Sequence, residues 1–314
     1  MDGPSAGGPD PEVLERGGLA LMPRRFAERE ARLWLVAAGG ERAVLRRLDP
    51  GLYRPDAATM ADRAWLHSFL TRLESTRFPA PRPVPAFEGT SCIVHAGAVW
   101  ELLTFLDGDE IGWRPEPPLE AMGALLGRLH DATAGVATPV QRPTALPLTE
   151  VPAVLEGPAP LAALGAELGR RLQESGPAEG TRAVIHGDFT AHNVLAAGPT
   201  MTPTGVIDFG LAHVEVPLAD VGFGLWRSGR PHQGAAIIDE ARARDFVRGY
   251  GGVRSVTEGE ARAVPVHILG RGLQMMGKRL RAGQVPHIPP LVEWLLVNSD
   301  RLAEGLAAEV HLMR

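Results

Sequence analysis

Two stretches decide the reading of this chain: Val184-Ile-His-Gly-Asp-Phe-Thr-Ala-His-Asn-Val-Leu195 and Gly205-Val-Ile-Asp-Phe-Gly210. Each joins a short apolar, β-like run to a polar loop. The first loop presents Asp188 and then Asn193; the second presents Asp208 directly after Val206 and Ile207. Those three side chains suit phosphoryl transfer. A triphosphate is highly charged, and metal ions must bridge its oxygens. Hard Mg²⁺ takes carboxylate, amide and water oxygens. The attacking hydroxyl needs a group that orients it and accepts its proton. Asp188 suits the hydroxyl, while Asn193 and Asp208 suit the metal. Gly187 and Gly210 allow backbone conformations that a side chain would obstruct.

Taken singly, these residues have plainer readings. Asp and Asn favour turns, and an aspartate at a strand end is more often a turn residue than a metal ligand. Their combination, in this order and with His186-Gly187 ahead, reverses that balance. His186 reads as a structural residue holding the loop. His192 either touches substrate or phosphate or merely neighbours Asn193. His130 reads as packing on its own helix. No His/Cys cluster has zinc-ligand spacing.

His-Gly-Asp-x-x-x-x-Asn followed by Ile-Asp-Phe-Gly resembles the paired motifs of the aminoglycoside phosphotransferase and choline kinase superfamily. The Asp-to-Asn spacing and the Asp-Phe-Gly triplet also occur in protein kinases. Leu125-Leu-Gly-Arg-Leu-His130 resembles the helix that precedes the catalytic loop there. Pro217-Leu-Ala-Asp220 resembles the segment whose aspartate braces that loop. Trp100-Glu-Leu-Leu-Thr-Phe105, followed by Gly108, resembles the hinge whose backbone pairs with adenine. The resemblance implies an α+β, bilobal protein-kinase-like fold, with a small N-terminal antiparallel sheet plus helix and a larger, mostly helical C-terminal lobe. It implies ATP and Mg²⁺, with ATP between the lobes at Glu101, Leu102, Leu103 and Thr104. Asp188 is then the catalytic residue, and Asn193 and Asp208 the metal ligands.

The N-terminal third departs from the pattern. Ala43-Val-Leu-Arg46 stands where protein kinases place Val-Ala-Ile-Lys. Arginine binds phosphate with a fork rather than a point charge. Many relatives carry Leu-Arg there, so Arg46 becomes the phosphate ligand. The sole lysine, Lys278, comes far too late in the chain to replace it. No glutamate lies in Trp65–Leu73 to partner Arg46; His67 is a polar candidate there and Glu74 an alternative. No Gly-rich phosphate loop is seen, and Pro23 to Glu30 would occupy its place.

Working outward, residues 1–18 read as a tail or lead-in, 19–104 as a nucleotide-binding lobe, and 105–314 as a catalytic and substrate-binding lobe. Ala31–Val36 and Arg42–Arg47 read as a hairpin about Gly39-Gly40. Cys92–His95 and Val99–Phe105 read as a second. Ala61–Leu73 has helical spacing, as do Leu119–Leu129, Leu161–Leu172, 235–250, 257–281 and 290–311.

The composition, 45% hydrophobic and 22% charged, is that of a globular protein, and a net charge of −5 argues against a nucleic-acid partner. The one cysteine, Cys92, precludes an intrachain disulfide and reads as a core residue. No apolar run approaches the ~20 residues that span a bilayer, and no signal peptide is seen, so a cytoplasmic protein without a membrane partner is expected. The near absence of lysine beside many Ala, Gly and Pro reads as GC-rich coding.

The partner is therefore a small-molecule hydroxyl acceptor, with an antibiotic such as an aminoglycoside favoured (resistance or self-protection). A primary metabolite of choline, homoserine or sugar type is the alternative. A pseudokinase interaction module is a third reading, favoured by the missing lysine and glutamate and opposed by the intact Asp188, Asn193 and Asp208. Asp107, Asp109, Glu110 and Glu215 suit either a cationic substrate or a solvated surface.

Overall fold

The computed structural model describes residues 8–23, 32–114, 116–136, 146–156, 159–175, 182–284 and 287–313. The chain forms two compact units, Met1–Asp107 and Gly108–Arg314. Most of Pro23–Glu30, the place assigned to a phosphate loop, lies outside the described residues.

The first unit opens with α1 (Pro11–Gly17), capped by Asp10, where a lead-in was expected. Val13 of this helix is fully buried in the sheet core, so part of that lead-in is built into the fold. The strands β1 (Leu19–Leu21), β2 (Leu33–Ala38) and β3 (Glu41–Arg47) follow. Then come α2 (Ala57–Ser75), β4 (Cys92–His95) and β5 (Ala98–Thr104). The strands form one antiparallel sheet in the order β1-β2-β3-β5-β4. Side chains alternate between faces along each strand. Ala43, Leu45, Trp100 and Leu102 pack with Val13 and Phe87 on one face. Val99 joins Leu48 and Tyr53 in a separate cluster. Helix α2 starts earlier than the apolar spacing indicates, because the Asp56 carboxylate caps it by accepting from Thr59 N–H at 2.8 Å.

The second unit begins with β6 (Asp109–Glu110) and α3 (Leu119–Thr133), then α4 (Val151–Val154) and α5 (Ala159–Glu174). Short strands β7 (Ala183–Ile185), β8 (Val194–Ala197), β9 (Thr202–Val206) and β10 (His213–Glu215) follow. The rest is α6 (Leu218–Ser228), α7 (Glu240–Gly251), α8 (Glu258–Arg281) and α9 (Pro290–Leu312). β7 pairs with β10, and β6, β8 and β9 form a three-stranded sheet. This is the expected α+β arrangement, an antiparallel sheet first and a mainly helical part after it.

Two elements differ from the pattern reading for physical reasons. Helix α6 contains Gly222 and Gly224, which lower helix propensity and read against a helix, although nearly all its residues are buried. Helix α7 starts at Glu240, where the Asp239 carboxylate caps it; Ala235 and Ile238 ahead of it are buried without being helical. Helices α3 and α7 approach so closely that a side chain at Gly123 would collide with Phe246 O, and one at Gly249 with Glu120 O. That approach brings His130 of α3 to Tyr250 of α7.

Candidate active site

Between β7 and β8 the chain makes the loop His186–Asn193, and one buried residue shapes its start. The Asp220 carboxylate accepts from His186 N–H at 2.5 Å and from Gly187 N–H at 2.8 Å. Its Oδ2 also lies 3.2 Å from His130 Nε2, and His130 Nδ1 lies 2.9 Å from the Tyr250 hydroxyl. Asp220 and His130 are fully buried. Burial alone would raise the Asp220 pKa; the His130 hydrogen bond and the nearby imidazoles outweigh it and lower the value. Gly187 has φ 77°, and a side chain there would strike Leu211 O, so the turn into Asp188 requires glycine.

His186 is structural in this geometry. Its Nε2 lies 2.9 Å from Ile207 O, and its Nδ1 accepts from Asp188 N–H at 3.2 Å. That pattern fits a neutral ring with the proton on Nε2. His186 thereby ties the Asp188 loop to the residue before Asp208.

Asn193 sits next to Asp188. Its Nδ2 donates to Asp188 O at 2.8 Å and to Asp188 Oδ2 at 3.3 Å. With the amide nitrogen so engaged, the Asn193 Oδ1 is the oxygen left to act as a ligand. Ile207 N–H donates to Asn193 O at 2.9 Å, and Val194 faces Val206 across β8 and β9. Asn193 and Asp208 therefore stand at the same end of that strand pair. Asp208 is exposed and left-handed, at φ 61° and ψ 59°, a conformation that aspartate tolerates better than most residues. The set of hard oxygens, one carboxylate and one amide, suits Mg²⁺, which usually adds substrate oxygens and water to one or two protein ligands.

The Asp188 carboxylate has a partner that the sequence did not disclose. Arg271 of α8 forms an ion pair with its Oδ1 and donates to Gln274 Oε1 at 2.6 Å. Arg271 is nearly buried, with its guanidinium over the Phe223 ring. Lys278 lies two turns further along α8; burial pushes its amine down to about 8, opposed by the charge of Asp188. The usable signal was a polar series at helical spacing, Arg271, Gln274 and Lys278, in a helix that reads as core.

The residues assigned to nucleotide lie in the first unit, and the four at Glu101–Thr104 divide. Glu101 is buried, and its carboxylate lies 3.6 Å from Arg46, 3.7 Å from Arg63 and 3.2 Å from His67. Burial would raise its pKa, but the His67 hydrogen bond and the Arg46 and Arg63 charges hold it at about 2. The glutamate missing from α2 is thus supplied by β5, directly across from Arg46 in register. Glu74, the alternative, faces Arg82 instead. The backbone of this segment is also occupied: Leu102 N–H donates to Ser91 O and Thr104 N–H to Arg82 O, both within 2.9 Å. Adenine pairing through those donors is therefore a correction to make. Leu103 and its cross-strand partner Val44 lie half-buried on the face that carries Arg46 and Glu101.

Three of the acidic residues considered for a cationic substrate are already engaged. Asp107 pairs with Arg42 at 2.6 Å, Glu110 faces His192 at 3.2 Å, and Glu215 is buried, accepting from Leu148 N–H. Among the described residues no cluster of three or more His, Cys, Asp or Glu side chains could hold a metal. Among them, too, no helix is long and apolar enough to cross a membrane.

Residues 24–256 match the phosphotransferase enzyme family. The chain belongs to this family. A homoserine kinase of Gluconacetobacter diazotrophicus is 29% identical over 248 residues, 75% of this chain and 71% of the relative. Among solved structures, an aminoglycoside phosphotransferase from Alicyclobacillus acidocaldarius superposes with a TM-score of 0.59 at 16% identity, covering 98% of this chain and 97% of the other. An amicoumacin kinase in complex with AMP-PNP and Ca²⁺ also gives 0.59, at 14% identity over 97% and 93%. The chain is a small-molecule kinase of this phosphotransferase family.

Proposed function

We propose that this phosphotransferase moves the γ-phosphoryl of ATP onto a hydroxyl of a small metabolite, with Asp188 as the catalytic residue. The observation carrying this reading is the arrangement of Asp188, Asn193 and Asp208 on one braced loop system, with the Asn193 amide nitrogen already spent on Asp188. Asp188 orients the acceptor hydroxyl and takes its proton, a contribution of ~10²–10⁴ in rate. Asn193 and Asp208 hold Mg²⁺, which neutralises charge on the transferred group. Arg271 fixes the Asp188 carboxylate from the other side.

In the first unit, Arg46 binds phosphate and Glu101 positions it. Val44 and Leu103 offer an apolar surface for adenine. Base pairing to backbone falls to the chain beyond Phe105, because the Leu102, Thr104 and Phe105 donors are spent.

A metabolite is preferred over an antibiotic for two reasons. Asp107, Glu110 and Glu215 are taken up by Arg42, His192 and the core, and the similar curated protein acts, by its name, on homoserine. The test is ADP release from Mg-ATP across homoserine, choline, sugars and aminoglycosides, with Asp188→Ala as control. Turnover with a metabolite that vanishes in the variant supports the reading. Nucleotide binding without turnover on any acceptor favours the pseudokinase. Turnover with aminoglycosides alone restores antibiotic inactivation.

A further inference from the structure

A small pocket opens in the second unit beside the Asp188 loop. Its enclosed space is about 10 Å³, room for one water-sized group such as a carboxylate oxygen, and its walls include Trp113 and Arg114 ahead of α3, His192 of the loop, Arg227 and Ser228 at the end of α6, and Arg242 of α7. Three arginines in so small a space repel one another unless an anion joins them. Among the described residues no carboxylate pairs with Arg227. Arg242 donates from Nε to Ser228 O at 3.1 Å, which fixes its guanidinium at the same helix end.

The second observation is Ser228 itself. The residue is 5% exposed, and its Oγ is buried with no hydrogen-bond partner. Buried hydroxyls are almost always satisfied, so an unsatisfied one on a pocket wall points to a group that completes it on binding. Among the described residues the nearby carboxylates leave Arg227 without one: the charges of Asp239 and Asp245 act on Arg242. Asp239 Oδ1 caps α7 through Arg242 N–H at 3.1 Å, and Glu110 Oε2 faces His192 at 3.2 Å.

The pocket borders the Asp188 loop: Ala191 and His192 of that loop line it beside Arg227. Burial lowers the Arg271 pKa, Asp188 opposes this, and the charge of Arg227 adds to it.

Given the kinase reading above, we propose that this pocket receives a carboxylate of the acceptor, so that the hydroxyl offered to Asp188 belongs to a small hydroxy acid. Arg227 supplies the paired charge, and the Ser228 hydroxyl donates a hydrogen bond to a carboxylate oxygen. Arg242 and Arg114 close the pocket around it, with Trp113 as an apolar wall. A polycation is repelled by the same residues.

The experiment compares acceptors of similar length and different charge: L-homoserine, 4-hydroxybutyrate, 4-hydroxybutyramide and 4-amino-1-butanol. ADP release is followed for the full chain and for Arg227→Met and Ser228→Ala. The expected result is a preference for the carboxylates over the amide and the amine. Arg227→Met should raise the acceptor KM about tenfold or more, the scale of a charge-assisted hydrogen bond, with the KM for ATP unchanged. Equal or better turnover with 4-amino-1-butanol, insensitive to Arg227→Met, overturns the carboxylate pocket and leaves the kinase intact. A rise in the KM for ATP instead also overturns it, by assigning Arg227 to phosphate. If no acceptor is turned over, Trp113 fluorescence decides, with Trp113→Phe as the blank. A response to 4-hydroxybutyrate that is lost in Arg227→Met supports the pocket, and its absence in a protein that still binds ATP refutes it. Failure to bind ATP refutes the kinase reading itself.

Discussion

The Nε2 of His130 lies 3.2 Å from Oδ2 of Asp220, and both side chains are fully buried. These residues come from α3 and α6, far apart in sequence, and they meet behind the loop that carries Asp188. Asp220 is the centre of this arrangement, because its two oxygens also hold the N–H groups of His186 and Gly187. Replacing it should therefore damage stability and activity together. Asp220→Ala strands two backbone donors and an imidazole in the core, at a cost of roughly 3–5 kcal/mol by the precedent of broken buried pairs. Urea unfolding measures the loss. His130→Ala, which leaves the backbone bonds in place, should cost clearly less; equal losses would show that the imidazole and not the loop amides dominates.

Arg271 and Asp188 make a second pair with a distinct readout. Arg271 touches the carboxylate that is proposed to face the acceptor, so its removal lets that carboxylate move. Arg271→Met keeps much of the side-chain volume over Phe223. It should lower kcat by about 10²-fold, the cost of a misplacement of ~1 Å, with little change in the KM for ATP. Steady-state kinetics at saturating ATP test this. A variant with unchanged kcat would reduce the ion pair to a structural contact.

Glu101 gives a prediction in acid. Its carboxyl titrates near 4.5 when unfolded and at about 2 in the fold, where the His67 hydrogen bond and the Arg46 and Arg63 charges overcome burial. The depressed folded value means that the contribution to stability, about 3 kcal/mol, is present above pH 4.5 and is lost as pH falls toward 2. Glu101→Gln removes the titrating group. The wild-type protein should lose stability over that window relative to the variant, with the gap between them narrowing toward pH 2. Parallel curves for the two proteins would contradict the cluster as drawn.

The sequence disclosed the Asp188 loop because its pattern is local. Asp188, Asn193 and Asp208 sit on short segments whose order and motif context carry the resemblance, so they could be picked out without knowing what they pack against. The strand pairs of the first unit were also legible, since their alternation is simple and their turns are two residues long. What escaped was whatever depends on distant segments meeting. Arg271 reads as a core-helix residue until α8 is placed against the loop. The partner of Arg46 was sought on α2 and lies on β5, because only sheet register puts Glu101 opposite Arg46. Helix α6 was missed because Gly222 and Gly224 lower its helix propensity, so the segment read as a loop around its aspartate.

The lone lysine supplies the last prediction. Lys278 is largely buried, and desolvation, with Arg271 and Arg281 nearby, pulls its amine from 10.5 down to about 8; Asp188 opposes the shift. Below pH 8 both the folded and the unfolded chain carry the charge, and the folded chain holds it at a cost of up to about 3 kcal/mol. Between pH 8 and 10.5 the folded chain has shed a proton that the unfolded chain still binds, so this group makes stability rise with pH. Lys278→Met removes the cost at neutral pH. Thermal unfolding should show the variant more stable than the wild type at pH 7, with the advantage shrinking as pH climbs through 8 toward 10. If the variant is instead less stable at pH 7, the ammonium is making a favourable contact with Asp188 that outweighs its desolvation, and Lys278 then belongs with Arg271 among the groups that hold the catalytic carboxylate in place.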